Sequence, residues 1–158
     1  MSNKIGKRGE SIFSTIISRF IEPEGQYLEP WFMDSKFPSV DFYVDLLNYP
    51  SKRGFFFASV KTTTTGYSGD NKKLLITVDK NELAALKKFT VPVYIFGIDE
   101  KSESGYFINA NNLSELQGLN GIPVKYNMNK VFLKLSWQEV SEYWDNSREI
   151  TNFVTSFN

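Results

Sequence analysis

At 158 residues, 41% apolar and 16% aromatic, the chain is long enough for one well-cored domain and too hydrophobic to stay disordered. Its 18 basic and 18 acidic residues cancel, far from the strongly basic balance of a protein that grips DNA alone and tightly. It has neither cysteine nor histidine, which excludes thiolate and imidazole chemistry, disulfides, His/Cys zinc sites and the Ser-His-Asp triad.

The first predicted element is a helix from about Ile5 to Ile21. Ile5, Ile12, Phe13, Ile16, Ile17 and Phe20 recur at helical spacing. Glu10 lies about 20° from Ile17 on a 100° wheel, at the margin of that apolar stripe. Pro23 and Gly25 stop the helix. A short strand over Gln26 to Met33 follows, interrupted by Pro30. Two stronger strands come next, Ser39 to Leu46 and Phe55 to Lys61. Both alternate with period two and are rich in β-branched and aromatic residues. The turn-rich connector Asn48 to Gly54 predicts an antiparallel hairpin. On it Asp41, Tyr43 and Asp45 share one face, and Phe55, Phe57, Ser59 and Lys61 share another. If the two faces coincide, Asp41 and Lys61 meet at one end of an otherwise apolar sheet.

Thr62 to Gly69 reads as a polar loop and Leu74 to Val78 as a short strand. Asp79 is the N-cap of a second helix, with Glu82 completing a capping box and Val78 stapling to Leu83. That helix runs to about Phe89. Pro92 to Ile98 is a continuous apolar run, expected as a strand covered on both faces. Gly105 to Asn109 is another strand, and Asn111 to Gln117 a short helix stopped by Gly118. Val131 to Leu135 reads as a strand, and Trp137 to Trp144 as an acidic helix whose aromatic residues, with Phe153 and Phe157, cover the core. No apolar run approaches the roughly 20 residues of a membrane span. The N-terminus has no apolar signal core, so the expectation is a soluble cytoplasmic protein. One α/β domain over residues 1–158 is expected, with helices on both faces of a mixed central sheet.

The charge is uneven: residues 1–90 carry 13 basic and 10 acidic side chains, residues 91–158 carry 5 and 8. A weakly basic first portion is compatible with nucleic-acid contact. Catalysis in such a chain runs on carboxylates, lysine, tyrosine, hydroxyls or an oxygen-bound hard cation. Mg2+ or Mn2+ is then the natural cofactor, with no zinc and no haem.

Gly9-Glu10 in the first helix, Val40-Asp41 opening one strand and Ser59-Val60-Lys61 closing the next form an ordered set. With them the chain resembles the PD-(D/E)XK nuclease superfamily, and most of all its small Mrr-like bacterial domains of unknown function. The likeness extends over about residues 5 to 110, including the helix and strand from Asp79 to Ile98. It implies a restriction-endonuclease-like fold, with residues 111–158 as a C-terminal extension. It also implies metal-dependent hydrolysis of a nucleic acid, DNA above all, in a defence or mobile-element setting. In that reading Asp41 is the principal metal ligand, Glu10 a second carboxylate and the Val60 carbonyl a third oxygen. Lys61 orients and electrostatically stabilises the attacking water.

The family pattern carries Glu or Gln where this chain has Ser59, a poorer ligand. Either Glu10 compensates, or the metal site is weakened, or the fold persists without cleavage. Asp45, roughly 13 Å from Asp41 at 3.3 Å per residue, is too far for the same ion. Lys72, Lys73 and Thr63 are candidate phosphate contacts. The alternative is a non-catalytic binding or interaction module in which Asp41 and Lys61 form a structural pair. A partner protein or a second copy that supplies the DNA grip would account for the neutral charge.

Overall fold

Period-two burial sets the centre of the molecule: Phe42, Val44 and Leu46 are buried on one strand, and Phe56 and Ala58 on the next. The structure, a computed structural model, describes residues 2–34, 37–50, 53–114, 116–147 and 154–157. In chain order its elements are α1 (Ser2–Ile17), β1 (Phe20–Ile21), β2 (Gly25–Gln26), β3 (Leu28–Phe32), β4 (Phe42–Leu46) and β5 (Phe55–Thr63). They continue with β6 (Lys73–Val78), α2 (Lys80–Lys87), β7 (Val93–Asp99), β8 (Ser104–Asn109), β9 (Leu119–Pro123) and α3 (Lys130–Asn146).

Five strands form a mixed sheet in the order β3-β4-β5-β7-β8. β3, β4 and β5 are an antiparallel meander, β5 and β7 run parallel, and β8 returns antiparallel. A parallel neighbour needs a crossover, here built from β6 and α2. Pro30 falls on edge strand β3, where its missing N–H costs no ladder bond on the open side.

One sheet face is covered by α1 and α3, whose Phe13, Ile16, Ile17, Leu133 and Val140 pack with Phe42, Phe56 and Phe96. The other is covered by α2 and the β6–β9 ribbon through Leu83, Leu86, Leu74, Ile76 and Ile122. β7 is sandwiched between both layers and buried along its whole length, as its unbroken apolar run requires. Gly97 leaves the room that ribbon needs: a Cβ there would sit 3.0 Å from Ile76 and Leu74 side chains.

Several expectations are corrected. The first helix ends at Ile17, four residues early, and Phe20 is 63% exposed on the small β1–β2 hairpin. The described residues of 111–117 form turns rather than a helix. There the Asn111 side chain accepts from the Val93 N–H and donates to the Val91 carbonyl, which ties the segment to the entry of β7. Val131 to Leu135 is the first part of α3 and not a strand. The Asn129 side chain caps it by accepting from Val131 and Phe132 N–H, and burial then follows Leu133, Ser136 and Val140 at helical spacing. Trp137 and Trp144 do cover the core, donating to the Leu47 and Phe55 carbonyls, while Phe157 is exposed. Phe153 lies outside the described residues. Among the described residues no helix is long and apolar enough to cross a membrane.

Candidate active site

The β4–β5 register pairs Phe42 with Ala58 and Tyr43 with Phe57. One further step sets Asp41, whose N–H donates to the Ala58 carbonyl, opposite Ser59. Strand alternation then turns Asp41, Ser59 and Lys61 to the same side, so the two faces read from the sequence do coincide. Glu10 arrives from α1. The helix can come that close because residue 9 is glycine: a Cβ there would lie 1.7 Å from the Thr62 Oγ1 on β5.

Glu10, Asp41, Ser59, Lys61 and Glu82 all line one cavity of about 670 Å3, together with Lys7, Asp34 and the apolar Phe32, Phe37 and Val40. Asp41 is fixed by the Val60 N–H, which donates to its Oδ2 at 2.6 Å. Burial holds the Asp41 carboxyl above the ordinary carboxylate range; the Val60 N–H and the Lys61 charge pull it down, and Glu82 opposes them. The Glu10 carboxyl is also raised, first by burial and then by the charge of Asp41, with Lys7 acting the other way. Two carboxyls lining the same cavity are thus each disfavoured in the charged form, burial being the first cause for both.

Lys61 does not pair with Asp41. Its ammonium donates to Glu82 on α2, so the Asp41–Lys61 structural pair weighed from the sequence is replaced by a Lys61–Glu82 one. Glu82 is a site residue that sequence reasoning missed, as it did the lining residues Lys7, Phe32 and Asp34. Its spacing from Asp79 read as a capping box, and half of that box exists: the Asp79 side chain accepts from Asn81 and Glu82 N–H. The Glu82 carboxylate, however, goes to Lys61.

Ser59 is 1% exposed, and its Oγ has no hydrogen-bond partner. A buried hydroxyl without a partner is costly, and this one lines a cavity bordered by carboxylates. Among the described residues no group of three or more Asp and Glu side chains is gathered closely enough to hold a metal ion. The cavity lining nonetheless carries only oxygen donors of the kind a hard cation takes, the carboxylates of Glu10, Asp34, Asp41 and Glu82 and the unpartnered Ser59 hydroxyl.

The remaining candidates lie elsewhere. Val60 is outside the cavity lining, and its N–H is what meets Asp41. Thr63 is buried with its Oγ1 accepting from the Thr65 N–H. Lys72 and Lys73 are exposed at the start of β6, outside the lining, with Lys72 3.9 Å from Asp70. Asp45 forms a two-bond pair with Arg53 and accepts from the Tyr43 hydroxyl. Its carboxyl is held below the ordinary range because these bonds outweigh its burial. Comparison with protein-family models, with curated proteins and with solved structures finds no match to this chain.

Proposed function

We propose that this chain is a metal-dependent phosphodiesterase acting on nucleic acid, DNA above all, with a restriction-endonuclease-like core. The observation that carries the reading is the convergence of Glu10, Asp41, Ser59, Lys61 and Glu82, from four separate elements or their flanks, on one cavity. Phosphodiester hydrolysis needs charge neutralisation at the phosphate and an activated water, and the cavity offers oxygen donors and the Lys61 and Lys7 ammoniums for both tasks.

Asp41 and Glu10 would hold the cation, with the Ser59 hydroxyl as a third oxygen. A bound Mg2+ or Mn2+ would supply Lewis-acid polarisation of the phosphate and lower the pKa of a bound water. The Val60 N–H keeps Asp41 in one orientation, so no rotamer search precedes ligation. Lys61 brings the positive charge that favours hydroxide over water and offsets charge on the phosphate. Glu82 holds that ammonium at the cavity wall and brings to the same cavity a negative charge that Ser59 does not supply. Histidine is not needed at any of these tasks.

The test is digestion of plasmid and oligonucleotide substrates with Mg2+ or Mn2+, beside Lys61→Ala and Asp41→Asn. Cleavage by the wild type that both variants lose supports the proposal. No cleavage, with no rise in melting temperature on adding the cation, overturns it. The Lys61–Glu82 ion pair favours one second reading, a non-catalytic module in which that pair braces β5 against α2. The same negative result would support it.

A further inference from the structure

We propose that the substrate strand is unpaired at the site and that the base next to the scissile phosphate stacks on Phe32; this rests on the nucleic-acid reading above. Phe32 ends β3 on the wall of the acidic cavity and is 56% exposed. Its ring is not loose. It meets Phe42, a core residue only 4% exposed, edge-on with centroids 5.4 Å apart. One part of the ring is anchored on the hydrophobic core while the rest faces open space, which describes a preformed stacking platform.

The same cavity is bordered by Gly6 on α1. Glycine is among the residues least suited to a helix interior, and packing does not require it here: a Cβ at Gly6 would meet nothing within 4 Å. A helix position without a side chain, bordering open space in the cavity that the exposed ring also lines, leaves clearance for a flat ligand. Gly9, three residues on, has a packing reason that Gly6 lacks.

Charge argues for an unpaired strand over a duplex. A duplex is gripped through many phosphate contacts by lysine and arginine. This cavity presents Glu10, Asp34, Asp41 and Glu82 against Lys7 and Lys61, and the Lys61 ammonium is already held by Glu82. The chain as a whole has no net charge. With so few cations, affinity has to come from the metal and from stacking, which every base supplies.

The test is fluorescence anisotropy with dye-labelled oligonucleotides in Ca2+: a 12-nucleotide single strand, its duplex, and a strand of abasic residues. Wild type, Phe32→Ala and Phe32→Trp are compared. The expected result is tighter binding of the single strand than of the duplex. Phe32→Ala should weaken it by about tenfold or more, Phe32→Trp should retain it, and the abasic strand should bind all three equally. The melting-temperature rise with Mg2+ should be the same in Phe32→Ala as in wild type, which keeps the metal site apart from the stacking site. Phe32→Ala binding like wild type, or a duplex preference, overturns the stacking proposal alone. Equal losses on base-bearing and abasic strands overturn it too. A wild type that binds no oligonucleotide overturns it together with the nucleic-acid reading.

Discussion

Lys61 on β5 gives its ammonium to Glu82 on α2, and Asp41, facing the same cavity, takes the Val60 N–H instead. The lysine is therefore positioned by a residue from a different layer of the fold, 21 positions later in the chain. Both partners of the ion pair keep roughly 30% of their side-chain surface in solvent (30% and 27%). Such a pair contributes only about 0.5 to 1 kcal/mol to stability. Glu82→Gln should accordingly lower stability by no more than that in urea unfolding. Metal-dependent cleavage should fall by about tenfold or more, because the ammonium loses its tether and the site one negative charge. A variant as active as wild type would make the pair a brace and nothing else.

Ser59 offers a sharper separation of structure from function. Its buried hydroxyl has no partner, so Ser59→Ala removes a desolvated polar group without opening much space. The cation-free protein should gain about 1 kcal/mol in stability. The stabilisation conferred by Mg2+ should shrink at the same time. A loss of stability without cation would mean that the hydroxyl has a partner after all.

The raised carboxyls at Glu10 and Asp41 give stability a definite pH dependence. A carboxyl whose folded pKa lies above its unfolded value binds its proton more tightly in the native state. Its contribution is full below the ordinary values of 4.5 for Glu10 and 3.8 for Asp41, and is lost as pH rises through the shifted ones. Glu10→Gln removes one titrating group and the repulsion on the other. In thermal melts without cation, its advantage over wild type should grow from pH 4 to pH 7. Added Mg2+ should raise the melting temperature of wild type at pH 7 far more than at pH 4, and that of Glu10→Gln less. A pH-independent difference between the two proteins would contradict the electrostatic account.

Gly9 sets the distance between α1 and β5. Gly9→Ala forces its methyl into Thr62, 1.7 Å from Oγ1 and 2.7 Å from Cβ, so helix or strand has to move. The cost expected in urea unfolding is about 1 to 3 kcal/mol. Thr62→Ala in the same chain should recover part of it by removing the nearest atoms. Cleavage should fall more than stability does, because the displaced helix carries Glu10. An alanine variant with wild-type stability would refute the close approach.

Much of this arrangement is written locally. Period-two alternation in Val40 to Leu46 and in Phe55 to Lys61, with a turn between, fixes which side chains share a face, and so brings Asp41, Ser59 and Lys61 together. The 3.6-residue spacing of Phe13, Ile16 and Ile17 likewise places Glu10 at the edge of the buried stripe. Short segments carry less. Val131 to Leu135 alternates in a way that suits a strand, and only the cap at Asn129 and the core beneath α3 select the helix. β9 has just five residues, two of them glycine and proline, and forms because β6 offers it an edge.

The sequence by itself therefore determined the strands of the central sheet, the faces they present and the absence of thiol and imidazole chemistry. Tertiary structure alone decided that Lys61 belongs to Glu82, that Ser59 keeps an unpartnered hydroxyl, and that Phe32 stays open at the cavity wall. The reason is physical. Side-chain periodicity encodes direction relative to an element's own axis, whereas a partner across a cavity depends on how distant elements pack.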